Sequence, residues 1–160
     1  MDKDQRDRVQ TFFRDVIPFN RFLGMEVGCF DSGLVQLTLE FRPEFIGNPV
    51  LPALHGGVIS SLLDTAGGGA VWSQIEPNDR VSTVDLRVDY LRPGRPEKLV
   101  GQGRVVRLGN RVGVAELRAW HPGREDKPVA AGMGVYNVTR LSAEELDAWR
   151  EKVDKDLARP

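Results

Sequence analysis

Residues 55–74 read HGGVISSLLDTAGGGAVWSQ, and this stretch decides the fold. It contains no proline, and Val58, Ile59, Leu62, Leu63, Ala66, Ala70, Val71 and Trp72 fall around most of a helical wheel. A helix that is apolar on most sides must be enclosed by protein. The pattern predicts a helix from Gly56 to about Gln74 with the rest of the chain wrapped around it. Gly67-Gly68-Gly69 works against this helix, since each glycine costs about 1 kcal/mol relative to alanine. Either the helix frays near Gly67, or backbone or a neighbouring subunit packs closely there. The apolar continuation Ala70-Val71-Trp72 favours close packing.

Working outward, four strand-like stretches follow the helix: Val81 to Leu91, Lys98 to Leu108, Arg111 to His121 and Val129 to Val138. Arg92-Pro93-Gly94-Arg95-Pro96, Gly109-Asn110 and Pro122-Gly123 separate them with turn chemistry. Before the helix, Phe22 to Phe30 and Leu34 to Phe41 alternate apolar and polar around Asp31-Ser32-Gly33, which predicts a β-hairpin. Residues 42–52 carry Pro43, Gly47, Pro49 and Pro52 and form a connecting loop. Short amphipathic helices are predicted at about 3–17, where Pro18 ends the pattern, and at about 142–157, opened by a Ser142-Ala143-Glu144-Glu145 capping box. The order implies an α+β fold in which a largely antiparallel sheet wraps one central helix. The 160 residues suit one domain, 1–160, with its core at about 20–138.

With 22 Lys and Arg against 23 Asp and Glu, the chain lacks the basic excess of a nucleic-acid binder. No apolar run approaches the roughly 20 residues of a membrane span. The polar start Met1-Asp2-Lys3-Asp4 is unlike a signal peptide, and the lone Cys29 has no internal disulfide partner, so a cytoplasmic location is expected. His55, His121 and Cys29 show no metal-ligand spacing, and neither metal nor cofactor is expected. His121, beside Pro122, reads as a solvated strand-end residue.

Asp64 interrupts an otherwise uncharged stretch of the enclosed helix. A buried carboxylate must find partners or shift its pKa, so it is either a satisfied structural group or a catalytic one. His55-Gly56-Gly57 stands at the helix start, where free amides and the helix dipole can polarise a carbonyl, or where the glycines simply permit a tight entry. His55 and Asp64 are nine residues apart, about 13 Å of rise and half a turn of rotation. They face opposite ways. If both act on one substrate atom, two subunits about a twofold axis must supply them.

Together, Leu54-His55-Gly56-Gly57, Asp64 and the run Thr83-Val84-Asp85-Leu86-Arg87-Val88-Asp89-Tyr90-Leu91-Arg92-Pro93-Gly94 resemble hotdog-fold acyl-CoA thioesterases of the phenylacetate-pathway (PaaI-like) type over about residues 20–138. Ile46-Gly47-Asn48-Pro49-Val50 and the stretch 86–94 are most similar to a bacterial branch acting on medium- and long-chain acyl-CoA. The resemblance implies a sheet-wrapped central helix, homodimers joined edge to edge and often homotetramers. It also implies hydrolysis of a medium- to long-chain, or aryl, acyl-CoA thioester. Asp64 would activate water or attack the carbonyl, a Gly56 or Gly57 amide would bind the carbonyl oxygen, and His55 would hold the loop and substrate. Thr83 would position the water or carboxylate, and Asn48 would act from the partner subunit. Arg87, Arg92, Arg95 and Arg111 are the candidates for CoA phosphate contacts, and Phe12, Phe13, Phe19 and Phe22 for an acyl tunnel or for docking the N-terminal helix. A hotdog dehydratase or hydratase and a non-catalytic acyl-CoA sensor are the alternative functions.

Overall fold

The computed structural model describes residues 9–76, 79–142, 144, 145, 147 and 148. Helical residues 9–11 run into a π-helical turn at Phe12–Val16. A short helix α1 (Pro18–Leu23) leads to β1 (Met25–Asp31) and β2 (Leu34–Leu39). A 3-10 turn at Pro43–Phe45 and the short strands β3 (Ile46–Asn48) and β4 (Ala53–Leu54) bring the chain to helix α2 (Gly56–Trp72). Strands β5 (Arg80–Tyr90), β6 (Leu99–Leu108), β7 (Val112–Trp120) and β8 (Ala130–Thr139) follow. The main sheet is antiparallel in the order β1-β2-β6-β7-β8-β5 and packs on α2, as the helix pattern predicts.

Alternation puts Val35, Leu37 and Leu39 of β2 and Ala115, Leu117 and Ala119 of β7 into the core, where they meet Ile59, Leu62, Leu63, Ala66, Ala70 and Val71 of α2. Glycines in the strands seat the helix. A Cβ on Gly101 would stand 2.5 Å from Leu62 Cγ, one on Gly113 would stand 2.7 Å from Val71 Cγ1, and one on Gly103 would strike the main chain of Ala66 and Gly67. Irregularities at Val27/Cys29, Thr83/Asp85 and Val105/Arg107 break the ladders, each a place where a strand bends and twists more strongly.

The helix does not fray at its three glycines. Gly67 makes room for Tyr136 and Leu117, and Gly69 for Phe13 and Val35, so the close packing comes from side chains of the same chain. Pro18 ends the first helical stretch, as the sequence reading has it, with Ile17 extended, and it also opens α1 at a first-turn position, where its missing N–H is no loss. The start of β1 differs from that reading. Gly24 then ends α1 in the left-handed region, φ 73°, so β1 begins at Met25 and not at Phe22.

The Ser142 capping box forms reciprocally. Glu145 N–H donates to Ser142 Oγ at 3.2 Å, and Ser142 N–H donates to Glu145 Oε2 at 2.9 Å. Residues 3–8 of the first terminal helix, and 143, 146 and 149–157 of the second, lie outside the described residues. His121 is a correction. It is 4% exposed, its Nε2 accepts from Arg95 N–H at 2.9 Å, and the neutral ring therefore donates from Nδ1 to Lys98 O at 2.9 Å. It pins the β5–β6 connection from inside, a role its neighbour Pro122 does not reveal.

Candidate active site

Asp64 lies midway along α2, half-buried, and its Oδ1 accepts a 2.8 Å hydrogen bond from the Thr83 hydroxyl. Burial raises the carboxyl above its ordinary pKa, and the Thr83 bond opposes part of the rise. Oδ2 has no hydrogen-bond partner among the described residues.

Thr83 reaches Asp64 because of the irregularity in β5. Thr83 pairs with Tyr136 and Asp85 with Val135, which leaves Val84 as an extra, exposed residue. Val81 before it and Leu86 and Val88 after it all pack on the core, although strict alternation would put odd and even positions on opposite faces. The bulge resets the alternation.

Asp64 opens on a cleft of about 370 Å³. One wall is Phe12, Phe13, Ile17 and Asn20, the floor is α2 from Asp64 to Trp72, and the far wall is residues 79–83 with Tyr136. Two of the four phenylalanines proposed for a tunnel therefore line it. Phe19 and Phe22 instead stack on each other at 6.3 Å, and both are exposed.

Tyr136 was missed by sequence reasoning. It is fully buried, and its hydroxyl donates to the Asp64 carbonyl at 3.2 Å. Desolvation first, and the Asp64 charge second, raise its pKa, so it stays protonated as a donor. Its trace in the sequence is the pair Gly67 and Gly134, at each of which a Cβ would strike the Tyr136 hydroxyl.

At the other end of the helix, His55 is the N-cap residue, and its Nδ1 accepts from Gly57 N–H at 2.9 Å. This takes one of the two candidate oxyanion amides. The Gly56 N–H has no partner among the described residues. Beside it, the Tyr90 hydroxyl meets Ser60 Oγ at 2.6 Å and Gly56 O at 3.0 Å, which ties the end of β5 to the helix start. Gly56 and Tyr90 line a second concavity, of about 360 Å³, with Leu91, Arg92, Pro93 and Gly94. No residue lines both concavities.

The structure does not bring the other candidates to Asp64. Asn48 Oδ1 accepts from Val50 N–H at 3.0 Å and Leu51 N–H at 3.2 Å, closing its own loop. Arg87 pairs with Asp89, Arg95 with Glu97, and Arg92 donates to Pro128 O at 3.0 Å. Arg111 is exposed on the β6–β7 turn. Arg80 does line the Asp64 cleft, and sequence reasoning passed over it. Among the described residues no group of His, Cys, Asp and Glu could hold a metal ion, and no helix is long and apolar enough to cross a membrane.

The sequence model of the thioesterase superfamily matches residues 51–127, which include His55, Gly56, Gly57, Asp64, Thr83 and Tyr90. The medium/long-chain acyl-CoA thioesterase YigI of Escherichia coli K12 is 40% identical over 114 residues, covering 63% of this chain and 74% of that one. The chain belongs to the thioesterase superfamily.

Among solved members of the thioesterase superfamily, a Shewanella oneidensis protein matches with a TM-score of 0.73 and 32% identity, covering 85% of this chain and 96% of that one. A Haemophilus influenzae thioesterase, 22% identical, shares the fold with a TM-score of 0.73 over 85% of this chain and 91% of its own. The resemblance read from the motifs and the sheet-wrapped helix of the hotdog architecture are both borne out. As a thioesterase-superfamily member the chain is an enzyme, a hydrolase of thioesters.

Proposed function

We propose that this thioesterase hydrolyses medium- to long-chain acyl-CoA to the free acid and CoA, with Asp64 as general base and each site shared by two copies of a single domain, 1–160. The carrying observation is Asp64 itself, a half-buried carboxylate of raised pKa with one oxygen held by Thr83 and the other open to an apolar cleft. A carboxylate with a raised pKa is a stronger base once ionised. It takes a proton from water as the water oxygen attacks the thioester carbonyl. The Gly56 N–H receives the developing oxyanion, and the carbon–sulfur bond then breaks as the CoA sulfur accepts the proton. His55 caps the helix through Nδ1, which suits a rigid amide site and disfavours its use as a dehydratase base.

The two concavities argue for two chains. Thr83 marks the carboxylate and Tyr90 marks the helix start, seven residues or about 23 Å apart on β5. The outer edge of β5 has no strand beside it among the described residues. A twofold axis crossing that edge near Leu86 and Arg87 sets Thr83 opposite Tyr90 of the partner subunit, and so brings one chain's Gly56 amide to the other's Asp64. The acyl chain then enters the Asp64 cleft and CoA leaves along Tyr90 to Gly94, with Arg92 nearest its phosphates.

YigI, which carries the same activity in its name, supports the acyl-CoA substrate. The test is thiol release from acetyl- through palmitoyl-CoA by the wild type and by Asp64→Asn. The expected result is kcat/KM rising with chain length into the medium range, and a loss of about 10²–10⁴ in kcat for the variant. Near-normal turnover by folded Asp64→Asn, or a preference for acetyl-CoA, overturns the reading.

A further inference from the structure

The three consecutive glycines of α2 do different things. Gly67 and Gly69 are required by packing: a Cβ on the first would strike Tyr136, and a Cβ on the second would stand 3.1 Å from the Phe13 ring. Gly68 is not required by packing. A Cβ there would find nothing nearer than Tyr136 Cε1 at 3.5 Å, an ordinary contact. Alanine favours a helix interior over glycine, so neither packing nor propensity accounts for the residue.

Gly68 faces the cleft. It lines the floor with Asp64, Thr65, Gly69 and Trp72, one face of the helix followed turn by turn. From Asp64 to Trp72 the helix rises about 12 Å. At about 1.3 Å per carbon, an extended acyl chain covers that distance with about nine carbons. At the far end Phe12 stacks on Trp72, ring centroids 5.3 Å apart and planes 20° apart, and Phe13 meets the same indole edge-on at 5.9 Å. The aromatic group stands at the end of the floor that Gly68 leaves bare.

We propose that Gly68 is the specificity-determining residue of the Asp64 cleft, keeping an acyl channel clear between Asp64 and the Phe12–Trp72 stack and matching it to acyl groups of about eight to twelve carbons. This rests on the thioesterase reading of the cleft. A side chain at position 68 blocks the channel one turn, about 6 Å, beyond the carboxylate. Shorter acyl groups still fit, and longer ones lose their burial.

The test compares decanoyl-CoA with butyryl-CoA. In Gly68→Leu the ratio of their kcat/KM values falls at least tenfold, and in Phe12→Ala the preferred chain length moves up by two or more carbons. Gly68→Ala, which favours the helix, keeps a thermal midpoint no lower than that of the wild type and lowers the ratio at least threefold. An unchanged ratio, or an equal loss on both substrates in Gly68→Ala and Gly68→Leu, overturns the proposal. Calorimetric titration with decanoate separates it from the reading on which it rests. If the wild type cleaves no acyl-CoA yet binds decanoate at least tenfold more tightly than Gly68→Leu does, the thioesterase reading falls and the channel stands. If the wild type shows no saturable decanoate binding, the channel falls.

Discussion

The Thr83 hydroxyl donates to Asp64 Oδ1 across 2.8 Å, and among the described residues this is the one interaction that draws the carboxyl's pKa down against the rise caused by burial. Thr83→Val keeps the shape and removes the donor. The Asp64 pKa should then climb further, because only desolvation is left. The acid limb of the kcat/KM profile should shift to higher pH in this variant, and kcat at neutral pH should fall. A pH–rate profile of both proteins on one acyl-CoA checks the direction.

Replacing Asp64 by Asn should cost activity and gain stability. The folded-state pKa is raised, so the native protein binds this proton more tightly than the unfolded chain does, whose value is about 3.9. Stability is therefore full below the unfolded pKa and falls as pH rises through the folded one. Asp64→Asn should have the higher thermal midpoint at pH 7, with the difference vanishing toward pH 3. Melting curves across that range test it.

Gly67 and Tyr136 should be coupled. Gly67→Ala drives a methyl group into the tyrosine hydroxyl and should cost about 1–3 kcal/mol, the usual penalty of overpacking. In a Tyr136→Phe background the obstructing oxygen is gone, and the same substitution should cost less, with a coupling of about 0.5 kcal/mol or more. Urea unfolding of the four proteins of the cycle measures it.

His121→Ala should destabilise the chain by about 2–4 kcal/mol, since the Arg95 N–H and the Lys98 carbonyl both lose their partner. A solvated strand-end histidine would change the urea midpoint little, so the same measurement distinguishes the buried role from an exposed one.

Shared sites predict complementation. Asp64→Ala and a Gly56→Val variant, whose side chain would crowd the Tyr90 ring and hydroxyl, should each be inactive alone. After subunit exchange a mixed dimer holds one doubly damaged site and one intact site, so activity should return. Exchange is followed with labelled subunits and folding by circular dichroism. With both verified, a silent mixture rejects the shared site and leaves Asp64 free to act within its own chain.

The enclosed helix, the strands and the capping box were legible because each is written locally: all-round apolarity in 55–74, alternation in β2 and β7, and the Ser142–Glu145 spacing. Asp64 stood out as one charge in an uncharged run, and Thr83 through its motif. Tyr136 and the internal role of His121 did not, because their partners are 72 and 23–26 residues away in sequence and no local pattern records them. Choosing between Gly56 and Gly57 needed the His55 ring in place, since only its hydrogen bond tells which amide is taken. Helix α1 was missed because Pro18 reads as a stop for the helix before it, although proline begins a helix with equal ease.

The bulge at Val84 absorbs a residue that the site does not count. Deleting that one exposed residue would leave β5 paired with β8 as it is, since Thr83 already stands opposite Tyr136 and Asp85 opposite Val135. The alternation would then run unbroken, with Val81, Thr83, Leu86 and Val88 on one face, and the hydroxyl would stay above the helix. What the strand would lose is the extra twist that the bulge lends it. Enzymes diverging from this one can accordingly drop a residue here and keep the carboxylate armed, so a one-residue gap beside the hydroxyl residue is no sign of a lost site.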